Sequence, residues 1–300
     1  MQLPKPAAMK KIGSWIKKIF LVILFIHVGW FLYFVFTLSE AIEIKDSKQG
    51  LLIAMAAVIV VLVLYFFWLR KIEIVKKITV IGWNVVFTAY ILAFFYFLIG
   101  FVFNPPITLT QVGSLLQGHG LSRDYISFDE MGPNIKLAVI ASEDQLFPDH
   151  DGFDLKAIKR AIKYNKRHPN KVRGASTISQ QTAKNIFLWQ GRSKLRKGLE
   201  TFFTFTIETG WTKRTILERY LNIAETGRGV FGVQAAAKKY FNKDAKDLTM
   251  AEAAQVAACL PNPKLYTVKP LSRYVAGRYA NIMRQMNNLS GDADVQEIIK

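Results

Sequence analysis

The sequence predicts a mostly α-helical protein: an N-terminal transmembrane helix bundle followed by one helical globular domain. Three observations carry this. Residues 19–37, 51–69 and 78–103 contain no Asp, Glu, Lys or Arg. Beyond Pro133 apolar residues recur at helical spacing with little period-two alternation. Glycines and prolines punctuate that later pattern at intervals suited to short helices.

At about 1.5 Å per residue, each apolar run can cross a hydrocarbon core of roughly 30 Å. The first run is long and lacks a small-residue cleavage site after it, so it reads as an anchor and not a signal peptide. Lys5, Lys10, Lys11, Lys17 and Lys18 precede it. The segment between the second and third runs carries Arg70, Lys71, Lys76 and Lys77 against Glu73, whereas Glu40, Glu43 and Asp46 outnumber Lys45 and Lys48 between the first two. The positive-inside rule then puts the N-terminus in the cytoplasm, and three crossings export everything after residue 103. In a Gram-negative cell that means a multi-pass inner-membrane protein with a periplasmic domain.

Asn104-Pro105-Pro106 ends the third run, because consecutive prolines cannot continue a helix. Residues 104–133 read as a connector, leaving 134–300 as the domain. Pro133 suits a helix start, and the periodicity predicts helices over 134–144, 154–167, 176–188, 193–209, 213–222, 231–240, 249–259 and 272–288. Gly152, Gly174, Gly191, Gly227, Gly229 and the Pro261-Asn262-Pro263 turn mark the loops between them. Thr249 and Glu252 have the spacing of a capping box. A domain of this length can bury a single core.

The net charge is +18, of which residues 1–103 supply 11 Lys/Arg against 4 Asp/Glu, so the domain itself is strongly basic. An anionic partner follows: membrane lipids or a lipid diphosphate, with nucleic acid a poor fit outside a membrane. The single cysteine, Cys259, lies in an apolar run, which excludes an internal disulfide and reads as a buried small hydrophobe.

Two carboxylates stand out. Glu143 closes the apolar run 137–142, and Glu200 lies on a stretch studded with Arg and Lys. Carboxylates beside fixed cations suit sugar transfer from a diphosphate donor: one takes a proton from the attacking hydroxyl while the cations hold the leaving diphosphate. On residue pattern alone, an exposed helix-end glutamate at 143 and a solvated salt-bridge stripe at Arg192, Arg196 and Glu200 (i, i+4, i+8) are the better accounts.

The motifs tip this balance. Glu143-Asp144 with His150-x-Gly152, then Gly174-Ala175-Ser176-Thr177-Ile178-x-Gln180-Gln181, then Arg196-Lys197-x-x-Glu200, then Lys213 to Asn222, then 251–263, occur in this order. Together they resemble the peptidoglycan glycosyltransferases (glycosyltransferase family 51) over about residues 125–290. Asn222-Ile223-Ala224-Glu225 followed by Gly232-Val233 is most similar to the monofunctional biosynthetic transglycosylases, and no penicillin-binding transpeptidase domain is expected, since the sequence stops at Lys300.

The resemblance implies a lysozyme-like helical domain that polymerises lipid II into β-1,4-linked glycan strands and releases undecaprenyl diphosphate. It implies Glu143 as the catalytic base and Glu200 as the second catalytic glutamate. Lys184 and Arg192 would contact the diphosphate, and Arg196, Lys197, Ser176, Thr177, Gln180, Gln181 and Asn185 the substrate. Asp144, Phe147, His150, Gly152, Lys213, Glu218, Tyr220 and Asn222 would support the motifs. No cofactor is certain, and a divalent cation (Mg or Mn) bridging the diphosphate is compatible with the family. The family motif more often has glycine where Ala175 stands, and relatives commonly have one span where three are counted; the extra spans could contact cell-wall synthesis or division proteins. Residues 186–189, with Trp189, and the phenylalanines of 202–205 could form either core or a hydrophobic jaw at the membrane.

Two rival readings are a lytic enzyme acting on glycan strands and an inactive membrane scaffold. Hydrolysis has no use for a diphosphate-binding cation set, and a scaffold has none for two retained carboxylates.

Overall fold

The computed structural model describes residues 6–42, 53, 56–58, 60–61, 63–191 and 193–300. They belong to two compact units, Met1–Phe95 and Tyr96–Lys300.

In the first unit, α1 (Pro6–Ile42) contains Ser14–Thr37, a stretch long and apolar enough to cross a membrane. The helix α2 (Glu73–Val102), whose residues from Tyr96 on belong to the second unit, passes the same test. A soluble helix turns its apolar face to a core, whereas Phe25 is 68% and Val85 64% exposed. Phe20 meets Phe94 edge-on at 5.8 Å, and His27 Nδ1 lies 3.3 Å from the Tyr90 hydroxyl. The expected run 51–69 falls partly outside the described residues; those described in it up to residue 67 are helical.

The second unit is helical apart from one small sheet. Its helices are α3 (Leu109–Leu116), α4 (Pro133–Glu143), α5 (Leu155–Arg167), α6 (Ile178–Phe187), α7 (Lys194–Gly210), α8 (Lys213–Ile223), α9 (Val233–Phe241), α10 (Met250–Cys259), α11 (Arg273–Leu289) and α12 (Ala293–Ile299). From α4 to α11 each boundary lies within two residues of the sequence expectation. The expected box at α10 is present: Glu252 N–H donates to Thr249 Oγ1 at 3.3 Å, and Thr249 N–H donates back to Glu252 Oε2 at 2.9 Å.

Residues 104–133 are more ordered than a connector. Thr108 and Gln111 form a reciprocal capping box that starts α3, and both are buried. Strand β1 (Ser122–Arg123) then joins β2 (Glu225–Gly227) and β3 (Val230–Phe231) in the order β1-β3-β2, parallel to β3, with Ser122 opposite Val230. Asn222 fixes the same segment, since its side-chain amide exchanges two hydrogen bonds with the backbone of Ile126, at 2.9 and 3.1 Å.

The core is built around α4. Ile135 and residues 137–141 are buried on all sides, which explains an apolar run too continuous for an amphipathic helix. Alanines 253, 254, 257 and 258 of α10 let that helix approach closely, and Cys259 ends it, also buried. Burial, with the Glu143 charge nearby, pushes the Cys259 thiol up to about 12, so it is an inert hydrophobe, as its setting in the sequence suggests. The core helix ends at Glu143, at the mouth of a cleft.

Candidate active site

The loop after α4 is pinned from three sides. Asp144 accepts from the backbone N–H of Ile178 at 2.9 Å and from His150 Nε2 at 3.0 Å. Gly152 N–H donates to His150 Nδ1 at 3.1 Å, which leaves the imidazole proton on Nε2, facing Asp144. Both ring nitrogens are therefore occupied within the protein. Lys213 donates to the His150 carbonyl and pairs with Glu208 at 2.9 Å, its ammonium 4.8 Å from the centre of the buried Phe147 ring. Gly152 has φ +84°, and a Cβ there would lie 2.8 Å from Thr204 Cγ2, so only glycine fits. These contacts hold Asp144, Phe147, His150, Gly152 and Lys213 together in one packed loop.

Opposite Glu143 stands α6. Thr177 is its N-cap and Gln180 its reciprocal partner. Both side chains are buried in starting the helix; Thr177 still borders the cleft, whereas Gln180 does not. Thr177 also donates to the Gly152 carbonyl at 2.7 Å, tying the second motif to the first. Ser176, one residue earlier, is exposed at the cleft wall.

Each oxygen of Glu143 has its own partner. Gln181 Nε2 donates to Oε2 at 2.9 Å, and the Tyr220 hydroxyl donates to Gln181 Oε1 at 3.2 Å. Ser142 Oγ donates to Oε1 at 3.1 Å, and Arg278 Nη2 approaches that oxygen at 3.8 Å. The same guanidinium nitrogen lies 3.3 Å from both Ser142 O and Ser142 Oγ. Tyr220 is fully buried beside Glu143, and burial first, then that negative charge, push its phenol well above the ordinary range, so it stays a donor. Ser142 and Arg278 were not expected as site residues. Arg278 follows Glu143 by 135 positions, and no spacing rule links α11 to α4.

The cleft in front of Glu143 has a volume of about 1060 Å³. Asp144, Arg160, Ser176, Gln181, Lys184, Tyr274 and Arg278 are among its walls. A smaller recess of about 310 Å³ is lined by Gln181, Lys184, Asn185, Gln190, Tyr220 and Glu225. Gln181, Lys184 and Tyr220 are thus placed where the chemistry can use them, with Gln181 and Lys184 on both recesses.

Glu200 is arranged differently. It is buried and lines neither recess. Arg196 Nη1 holds its Oε2 at 2.7 Å and Lys197 Nζ its Oε1 at 2.5 Å, the i, i+4 and i, i+3 partners on α7. Arg196 is further fixed by Nε, which donates to the Gly191 carbonyl at 2.7 Å. Lys184 joins the two carboxylates electrostatically. Burial pushes its ammonium below the usual lysine range; Glu200 pulls it up, Arg196 and Lys197 push it down, and Glu143 pulls it up. Arg192 lies outside the described residues.

The remaining expectations divide. Glu218 pairs with Arg219 at 2.7 Å, and Arg219 in turn donates to the Gly100 carbonyl at 2.9 Å, so both are packing residues. Of the apolar candidates, Ile186, Leu188 and Phe205 are core, and Phe187 stacks on Phe203 at 4.5 Å, leaving Trp189 at 45% exposure as the outward-facing member of 186–189.

A carboxylate held by neighbours at one wall of a large polar cleft, with a half-buried lysine on the same wall, defines a group-transfer site on a helical domain. Comparison with known proteins sharpens this. The transglycosylase family model matches residues 110–287. Proteins named biosynthetic peptidoglycan transglycosylase from Escherichia coli O17:K52:H18 (strain UMN026 / ExPEC), Escherichia coli (strain K12 / DH10B) and Shigella boydii serotype 4 (strain Sb227) are each 52% identical over 198 residues, covering 65% of this chain and 82% of the relative. The chain belongs to the transglycosylase family.

Proposed function

We infer that this chain is a peptidoglycan glycosyltransferase of cell-wall synthesis that polymerises lipid II into β-1,4-linked glycan strands. The 4-hydroxyl of the acceptor sugar attacks C1 of the donor. Its proton passes to Glu143, the C1–O bond breaks, and the electron pair leaves with undecaprenyl diphosphate, inverting C1. Lys184, on the wall of both recesses, would meet the growing charge on the leaving group, while Arg196 and Lys197 hold Glu200. The observation carrying this reading is the grip on Glu143: both oxygens are oriented while the group still opens on the cleft. Lysis of strands is disfavoured, because a general acid for an existing glycosidic bond gains nothing from a lysine set to stabilise a diphosphate.

A divalent ion such as Mg or Mn would travel with the diphosphate, held mainly by phosphate oxygens and water. Among the described residues no group of three His, Cys, Asp or Glu side chains could hold it, and no step above runs through it.

Labelled lipid II incubated with the purified chain should yield polymer that muramidase digests and penicillin does not prevent. Monomer left intact, or preformed strands cut instead, would overturn the reading. The proposed location is a bacterial inner membrane, with the N-terminus cytoplasmic and the catalytic unit periplasmic; the charge asymmetry of the first 103 residues supports it. A reporter fused after Lys300 should then be active only when it requires export, and cytoplasmic activity would exclude that topology.

A further inference from the structure

Helix α5 and the loop after it carry the most one-sided surface of the second unit. Residues 155–173 contain eight Lys/Arg and no Asp or Glu. At 3.6 residues per turn, Lys156, Lys159, Arg160, Lys163, Lys166 and Arg167 fall within an arc of about 120°. All six are exposed, while Ala157, Ile158, Ala161, Tyr164 and Asn165 on the remaining arc are partly buried. The arc contains six i, i+3 or i, i+4 pairs, every one cation against cation, an arrangement that weakens a helix standing alone in water.

The loop adds to the same surface and is held to it. Asn165 Oδ1 accepts from the Arg173 N–H at 2.7 Å, and its Nδ2 donates to the Arg173 carbonyl at 3.0 Å. His168 stacks on Tyr164 at 4.3 Å, and the Arg173 guanidinium lies 3.7 Å from that ring. Lys171 and Arg173 are thereby fixed near the arc. Apolar side chains edge it: Ile162 is 44% and Val172 71% exposed.

We propose that this basic face, residues 155–173, docks on the anionic phospholipid headgroups of the leaflet, with Ile162 and Val172 entering the interface. A cationic arc with apolar residues at its margin and low overall hydrophobicity is what an interfacial helix requires. Ala157, Arg160 and Val172 also line the cleft, so docking would hold the cleft wall against the surface from which a lipid-linked substrate arrives. A single lipid diphosphate is too small to occupy the whole face, and Lys184 already serves that ligand within the cleft. The proposal rests on the membrane-anchored reading of the chain but not on its polymerase activity.

The test uses the full chain in nanodiscs of phosphatidylcholine, alone or mixed with phosphatidylglycerol, with hydrogen exchange followed over residues 155–173. Exchange should be at least about tenfold slower with phosphatidylglycerol, revert in high salt, and show no such slowing in a K156Q/K159Q/K163Q/K166Q variant. Equal exchange in both lipids, or slowing that survives the four substitutions, would overturn the proposal. So would slowing in phosphatidylcholine alone once lipid II is added, which would assign the face to substrate. Polymer formation in detergent is measured in parallel: the variant should keep it, showing an intact fold, and a chain that makes no polymer at all would sink the proposed function while leaving the exchange comparison readable.

Discussion

Glu143→Gln should stop glycan polymerisation, lowering the rate by about 10²- to 10⁴-fold, while the melting temperature stays near that of the parent. The substitution keeps the shape. Gln181 Nε2 now donates to Glu143 Oε2, and an amide oxygen can accept the same bond. Ser142 Oγ, which donates to Oε1, can rotate to accept from the new amide nitrogen. What disappears is a group able to take the acceptor's proton. The loss should therefore fall on kcat, with KM little changed, because the hydroxyl is bound equally well before the transfer begins. Turnover of labelled lipid II alongside thermal melts separates the two effects. A variant within about tenfold of the parent rate would remove Glu143 from the role of base.

Most helices from α4 to α11 were legible because they join an apolar period to a recognisable start. Asp154, Thr177, Ser193, Thr212, Thr249 and Ser272 all cap helices with their side chains. Where the expected start slipped, the chemistry explains it: a helix from 176 ignores that Thr177 has a glutamine three residues on, so the reciprocal box forms one position later. The helix α3 was missed for a related reason. Eight residues give too little periodicity to register, and the Thr108/Gln111 box that starts it is easily passed over. The strands of two and three residues left no alternating signal at all.

The site was legible only in part. Motif order located Glu143, Gln181 and Lys184, and each reaches the cleft. Which polar residues serve the fold instead was not legible, because Thr177 and Gln180 carry the same chemistry whether they face a ligand or a helix end. The stripe at Arg196 and Glu200 was visible from spacing, but its burial depends on how α7 packs against α6 and α8. Arg278 depends wholly on tertiary structure, since only the packing of α11 beside α4 brings it to Ser142 and Glu143.

Lys184 should set the alkaline limit of activity. Its folded-state pKa is depressed below the ordinary 10.5, first by burial and then through the balance of Glu200, Arg196, Lys197 and Glu143 around it. The sign follows directly: as pH rises through the depressed value, the ammonium loses its proton earlier than an exposed lysine would, and the cation facing the leaving group is gone. Folding stability moves the other way, because the unfolded chain holds that proton more tightly and the folded state gains as pH climbs between the two values. The fall should appear in kcat/KM, which reports the free enzyme, and be weaker in kcat, since a bound diphosphate favours the charged form. Lys184→Arg should move the limb upward, because a guanidinium stays charged throughout. Lys184→Met should erase the limb and cost about 10²- to 10³-fold in rate, the scale of removing one electrostatic stabiliser. The limb's position does not depend on absolute activity, so a poorly fitting arginine still gives an answer. An arginine variant whose alkaline limb coincides with the parent's would place the titrating group elsewhere and leave Lys184 a packing residue.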